Sequence, residues 1–159
     1  MQLTYNQLIE VFTDLASKHY QIQSIEQGEI SDVDISKKDA TNFPLLFVEP
    51  NQAAIDKGTL LYSIDFMVMT LIQADEDNLT EAYSNMLQIS NDIISEFRQV
   101  LSSCSFVSAE QKPDIILITP VVLQPFTRRF SNLLTGWGGT LQIEVGNKLD
   151  LSIAPIEQS

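Results

Sequence analysis

Between Thr59 and Ala74 the chain alternates. Tyr62, Ile64, Phe66, Val68, Thr70 and Ile72 are apolar or β-branched, and they interleave with the mixed set Leu61, Ser63, Asp65, Met67, Met69 and Leu71. Successive side chains of a strand point to opposite faces, so a period of two sustained over this length predicts a long β-strand. The first set faces a core. The second faces a surface partly covered by something else.

Two helices supply what such a sheet needs to pack against. From Tyr5 to His19, residues Tyr5, Leu8, Ile9, Phe12, Leu15 and Ala16 recur at helical spacing. Thr4 with Gln7 three residues on forms a capping box at its start. A longer helix opens at Asp75-Glu76-Asp77-Asn78, where acids suit the helix dipole and Asp77 or Asn78 suits the N-cap. Its stripe is Leu79, Ala82, Tyr83, Met86, Leu87, Ile93, Ile94, Phe97, Val100 and Leu101.

The remaining strands are shorter. Residues 20–30 alternate loosely and predict a short strand, followed by a polar loop or arm over residues 31–42. Phe43 to Pro50 predicts a strand with Pro44 at its start or on an edge, since proline donates no ladder hydrogen bond. Asn51 to Gly58 then reads as a turn or long hairpin connection. After a connection from Ser102 to Pro113, Asp114 to Thr119 is a strand that Pro120 ends or bulges, and Val121 to Gln124 can continue it. Thr127 to Gly139 reads as a loop, Thr140 to Val145 as a strand and Gly146-Asn147 as a tight turn. A last strand over Leu149 to Ile153 and a frayed tail over residues 154–159 complete the chain. The expected fold is a single α+β domain over residues 1–159: a mainly antiparallel sheet with both amphipathic helices on one face.

Composition narrows the function. The 159 residues carry a net charge of −12, which repels nucleic acid phosphates and argues against a conventional DNA-binding module. Residues 1–112 hold 17 acids against 6 Lys and Arg, whereas residues 113–159 hold 4 against 3, so the C-terminal third can approach other proteins with little repulsion. No apolar run reaches the ~18 residues that span a bilayer, and the start shows no basic region followed by an apolar one. One cysteine, Cys104, and one histidine, His19, leave no zinc spacing and no internal disulfide. Nucleophile-elbow, phosphate-loop and calcium-loop patterns are absent, and Gly136-Trp137-Gly138-Gly139 stands in the wrong context for a dinucleotide fingerprint. The expectation is a protein that is not an enzyme and holds no cofactor or metal. Folding could still bring carboxylates together for acid–base work.

The unusual segment runs from Phe126 to Gly139. It holds the only arginine pair, Arg128 and Arg129, with Phe130 and Asn132, and the only tryptophan, Trp137. In one reading Trp137 covers the end of the core and the arginines are solvated. In the other this is a docking loop, because Trp and Arg are enriched at interface hot spots and the arginines can meet acidic surface on a neighbouring copy.

Asn132 to Val145, with its Asn and Gly-Trp leading into an alternating strand, resembles the C-terminal end of small virion proteins of tailed bacteriophages. The order of helices and strands is similar to that of tail terminators and related head–tail joining, or neck, proteins. The resemblance implies a homo-oligomeric, typically hexameric ring in the virion, assembled in the host cytoplasm, that caps the tail tube and joins it to neck or connector proteins. It implies DNA only in passage through the lumen, and no membrane. Asp75, Glu76 and Asp77, with the arm at 31–42, are then candidates for an acidic lumen or joining surface, and Arg128, Arg129, Phe130, Asn132 and Trp137 for a subunit or partner interface. The alternative is a non-viral intracellular adaptor that binds proteins through an exposed sheet edge. A third is an enzyme with an unrecognised carboxylate site.

Overall fold

A computed structural model describes residues 3–28, 40–72, 78–103, 114–127 and 134–147. In chain order its elements are α1 (Tyr5–Ser17), β1 (Ser24–Gln27), β2 (Leu45–Asp56), β3 (Gly58–Leu71), α2 (Leu79–Ser103), β4 (Ile115–Leu117), β5 (Leu123–Thr127) and β6 (Leu134–Asn147). They make an α+β domain whose sheet runs β1-β2-β3-β6-β4, with β5 also paired to β6.

The alternating segment is the axis of this sheet. β3 pairs antiparallel with β2 on one side and with β6 on the other, and its register with β6 runs unbroken from Gly58↔Asn147 to Leu71↔Leu134. Its even-numbered residues Tyr62, Ile64, Phe66 and Val68 are buried, as the alternation requires. With Leu46, Val48, Leu141, Ile143 and Val145 they form one face, against which α1 and α2 pack. Phe12 of α1 is fully buried and meets Phe97 of α2 and Phe66 of β3 edge-on, with centroids 5.0 and 6.2 Å away. Burying such a ring stabilises the fold by roughly 1.5–3 kcal/mol.

Both helix starts follow the sequence. Thr4 Oγ1 accepts from Gln7 N–H while Gln7 Oε1 accepts from Thr4 N–H, closing the capping box. In α2 the first turn closes with Ala82 N–H donating to the Asn78 carbonyl. The helices are tied to each other by His19, whose Nε2 lies 3.0 Å from Asp92 Oδ2. His19 Nδ1 accepts from Gln21 N–H, which leaves the ring proton on Nε2, facing the carboxylate.

Several boundaries differ from expectation. Asn51 to Asp56 is not a connection but the outer half of β2, which continues past a register shift between Pro50 and Gln52. The turn shrinks to Lys57-Gly58, and Gly58 takes φ 77°, a conformation that glycine alone adopts freely. The segment Thr127–Gly139 is not all loop, because β6 already begins at Leu134. Gly146-Asn147 is not a turn but the end of β6, held opposite Thr59 and Gly58. β1 departs from the antiparallel default and pairs parallel to β2. The long chain between Gln27 and Leu45 gives room for the return that a parallel pair needs. β4 stops at Leu117, short of the expected Thr119 and Pro120, and the chain resumes from Leu123 as β5 on a different stretch of β6. The expected strand at 149–153, the frayed tail 154–159, most of the arm at 31–42 and Cys104 lie outside the described residues.

The face away from the helices is apolar at one end. Leu45, Phe47, Met69 and Leu134 are fully buried there, with Phe43 beside them and Met67, Leu71 and Phe126 packed against them. This is the second, covered side that the mixed set in β3 implied.

Candidate functional site

Trp137 is on β6, not on a loop, and this changes what it does. Its cross-strand partners are Val68 of β3 and Pro125 of β5, so its ring projects to the helix side. There Nε1 donates to the backbone carbonyl of Tyr83 in α2 at 2.9 Å, and the Tyr83 ring meets the indole edge-on at 5.9 Å. Trp137 is half-buried and packs against the main core. Of the two readings drawn from the sequence, this placement is that of a residue covering the end of the core.

The same contact fastens the base of the arginine-bearing segment. Thr135 Oγ1 donates to the Phe126 carbonyl at 2.9 Å and lies 3.2 Å from Thr127 Oγ1, which also bonds to the Tyr83 hydroxyl. Because Thr135 spends its proton on Phe126, Thr127 must donate to Thr135, and Tyr83 to Thr127. The chain of hydroxyls runs in one direction from α2 across β5 to β6. Thr127 and Thr135 are themselves a cross-strand pair. The two described ends of the β5–β6 connection, Thr127 and Leu134, are therefore pinned to the sheet and to α2. Arg128, Arg129, Phe130 and Asn132 belong to that segment and lie outside the described residues, as do Asp75, Glu76 and Asp77.

The glycines around Trp137 have a packing reason. A Cβ on Gly136 would sit 1.9 Å from the Val68 carbonyl oxygen, and one on Gly139 2.5 Å from that of Val122. The Gly-Trp-Gly-Gly stretch thus lets β6 approach backbone on both sides while its one large side chain reaches α2.

On the opposite face an open groove of about 590 Å³ runs over Phe47, Met67 and Phe126. Glu49 and Asp65, a directly opposed cross-strand pair, line it together. Asp65 Oδ1 accepts from Thr140 Oγ1 at 2.6 Å and from Asn51 Nδ2 at 3.0 Å. These carboxylates were individually visible in the sequence, but their juxtaposition depends on the β2–β3 register. Among the described residues no group of three or more His, Cys, Asp or Glu side chains converges as a metal site. No described helix is long and apolar enough to cross a membrane. The chain matches no family model, and no curated protein matches it.

Proposed function

We propose that this chain is a structural protein of a tailed-phage virion, a subunit of a ring that caps the tail tube and joins it to the neck, with DNA passing through. The observation that carries the reading is the segment from Asn132 to Val145, which resembles the end of such proteins and from Leu134 onward lies in the sheet's long inner strand. The acidic charge of −12 supports it, because a lumen of that sign does not hold DNA. In this reading Asp75, Glu76 and Asp77 contribute to the lumen or joining surface. Arg128, Arg129, Phe130 and Asn132 contact a neighbouring subunit or partner from the hairpin pinned by Tyr83, Thr127 and Thr135. The proposal includes no catalytic step, cofactor or metal.

The test is the solution mass by light scattering over a range of concentration and salt, followed by electron microscopy with isolated tail tubes. A closed ring near six subunits that seats on tube ends is the expected result. A protein that neither forms rings nor binds tubes would overturn the reading. The second reading, a protein-binding adaptor, draws on the exposed outer half of β2, and capture of an extended peptide by a monomer would favour it.

A further inference from the structure

The sheet is narrower at one end than at the other. At the level of Leu46 five strands lie side by side, through Ile25, Leu46, Val68, Trp137 and Pro125. At the level of Ala54 the described residues supply four, through Ala54, Leu61, Glu144 and Ile116. β1 has stopped, so among the described residues no strand pairs with the outer edge of β2 beyond Pro50. Every residue from Pro50 to Asp56 is exposed, Ile55 by 80%. On the other flank of the same row β4 is the last strand among the described residues, and Ile116 at its middle is 63% exposed. Pro50 and the bulge beside it guard only the base of the β2 edge. From Asn51 to Ile55 it lacks the charges and prolines that usually block strand addition.

The two edges fit each other. β2 is antiparallel to β3, β3 to β6 and β6 to β4, so β4 runs opposite to β2. A second copy set beside the first by a rotation that keeps the helices on one side brings its β2 edge antiparallel to β4. Charge permits the approach. Pro50 to Leu61 carries only Asp56 and Lys57, and Asp114 to Thr127 only Asp114, in a chain whose net charge is −12.

We propose that the β2 edge of one copy, Asn51–Asp56, adds to the β4 edge of the next, Ile115–Leu117, as an antiparallel strand. The contact is head-to-tail, continues the sheet from subunit to subunit, and closes into a ring when the rotation closes. It deepens the ring reading by naming the edges that meet, and rests on that reading for closure.

Directly opposed residues of a sheet point to the same face. Gln52, Ala54 and Ile116 lie on the face away from the helices, Ala53 and Ile55 on the helix face. Every antiparallel register that keeps the helices together and pairs all of Ile115–Leu117 within Asn51–Asp56 therefore sets position 116 opposite 52 or 54, never opposite 53 or 55. In a Cys104→Ser background, Ile116→Cys combined with Gln52→Cys or Ala54→Cys should give a ladder of disulfide-linked oligomers on mild oxidation. Ile116→Cys combined with Ala53→Cys or Ile55→Cys should give at least tenfold less, and no single variant should cross-link. Equal ladders from both series, or none from either, overturn the proposal. Dimers from Ala54→Cys alone overturn it in favour of a two-fold contact. The light-scattering mass keeps the two claims apart: rings without a ladder refute the edge pairing and leave the ring, whereas monomers without a ladder refute both.

Discussion

Trp137→Ala is the substitution on which the two readings of the tryptophan segment diverge most. Trp→Ala in a core costs about 3–5 kcal/mol, and Trp137 is half-buried, so about 2 kcal/mol is expected from lost packing. Loss of the Nε1 bond to the Tyr83 carbonyl adds about 1 kcal/mol, and loss of the edge-on contact at 5.9 Å up to about another. These terms share one ring and do not add fully, so a total near 3 kcal/mol is expected. With a urea slope of about 2 kcal/mol/M, the midpoint falls by about 1.5 M. Trp137→Phe keeps an aromatic ring against Tyr83 and loses the donor, so its midpoint should fall by about half as much. Trp137 is the only tryptophan, so unfolding is followed by circular dichroism rather than fluorescence. A Trp137→Ala midpoint within about 0.3 M of wild type, with the oligomer lost, would refute the placement and return Trp137 to the interface.

Gly136→Ala should cost more than about 3 kcal/mol in thermal or urea unfolding, because the added Cβ meets backbone at 1.9 and 2.9 Å and the two longest strands must part. Gly146→Ala, whose nearest neighbour is the Asp114 side chain at 3.5 Å, should stay within about 0.5 kcal/mol of wild type, and equal costs would show that strand propensity rather than close approach decides. Burial raises the ionisation of Tyr62 above its ordinary value of 10.0, and its hydroxyl donates to the Leu3 carbonyl. The stability tied to the neutral phenol is therefore full below pH 10 and is lost as pH rises through the raised value, so unfolding midpoints should drop above pH 10, and Tyr62→Phe should lessen that drop. Ser63 Oγ is buried without a hydrogen-bond partner, so Ser63→Ala should be neutral or stabilise by up to about 1 kcal/mol in urea. A loss above about 1 kcal/mol would reveal a partner for the hydroxyl.

Periodicity carried the parts of the fold whose burial is one-sided. The stripe of α1, the Thr4–Gln7 box, the Tyr62–Val68 alternation and most of the stripe of α2 are local patterns, and each is where the sequence places it. The errors share a cause. Asn51 to Asp56 contains no apolar alternation because neither face of the outer half of β2 is buried, so only pairing to β3 marks it as strand. Leu134 to Gly139 looks like a loop because glycines break the pattern, yet those glycines are what a strand needs when backbone crowds it on both sides. Tyr83, Thr127 and Thr135 were not legible as a unit, since their hydroxyl chain joins positions 44 and 8 residues apart and exists only after β5 and β6 pair. The glycine cluster was the available signal: a lone tryptophan among glycines favours a strand in close quarters over an exposed loop.

The register of β3 with β6 also separates the surfaces offered for assembly. The arginine-bearing segment leaves the sheet at the Leu71–Leu134 end, and the β2–β3 hairpin stands at the Gly58–Asn147 end. With a rise of about 3.4 Å per residue, these ends are roughly 45 Å apart. Thr127 and Leu134, which flank the arginine-bearing segment, are therefore far from Ala54 and Ile116, and changes at the two ends should combine independently in their effects on assembly. In the ring reading this gives each end a different task. The paired edges at the hairpin end set the lateral spacing of subunits, and the pinned segment at the other end is left for the face that meets a partner. Ile116→Lys, which places a charge in the middle of the β4 edge, should then dissolve rings into folded monomers. Arg128→Ala with Arg129→Ala should leave rings intact and abolish their seating on tube ends. If both changes dissolve the ring, the two ends are not separate in function, and the pinned segment belongs to the subunit contact.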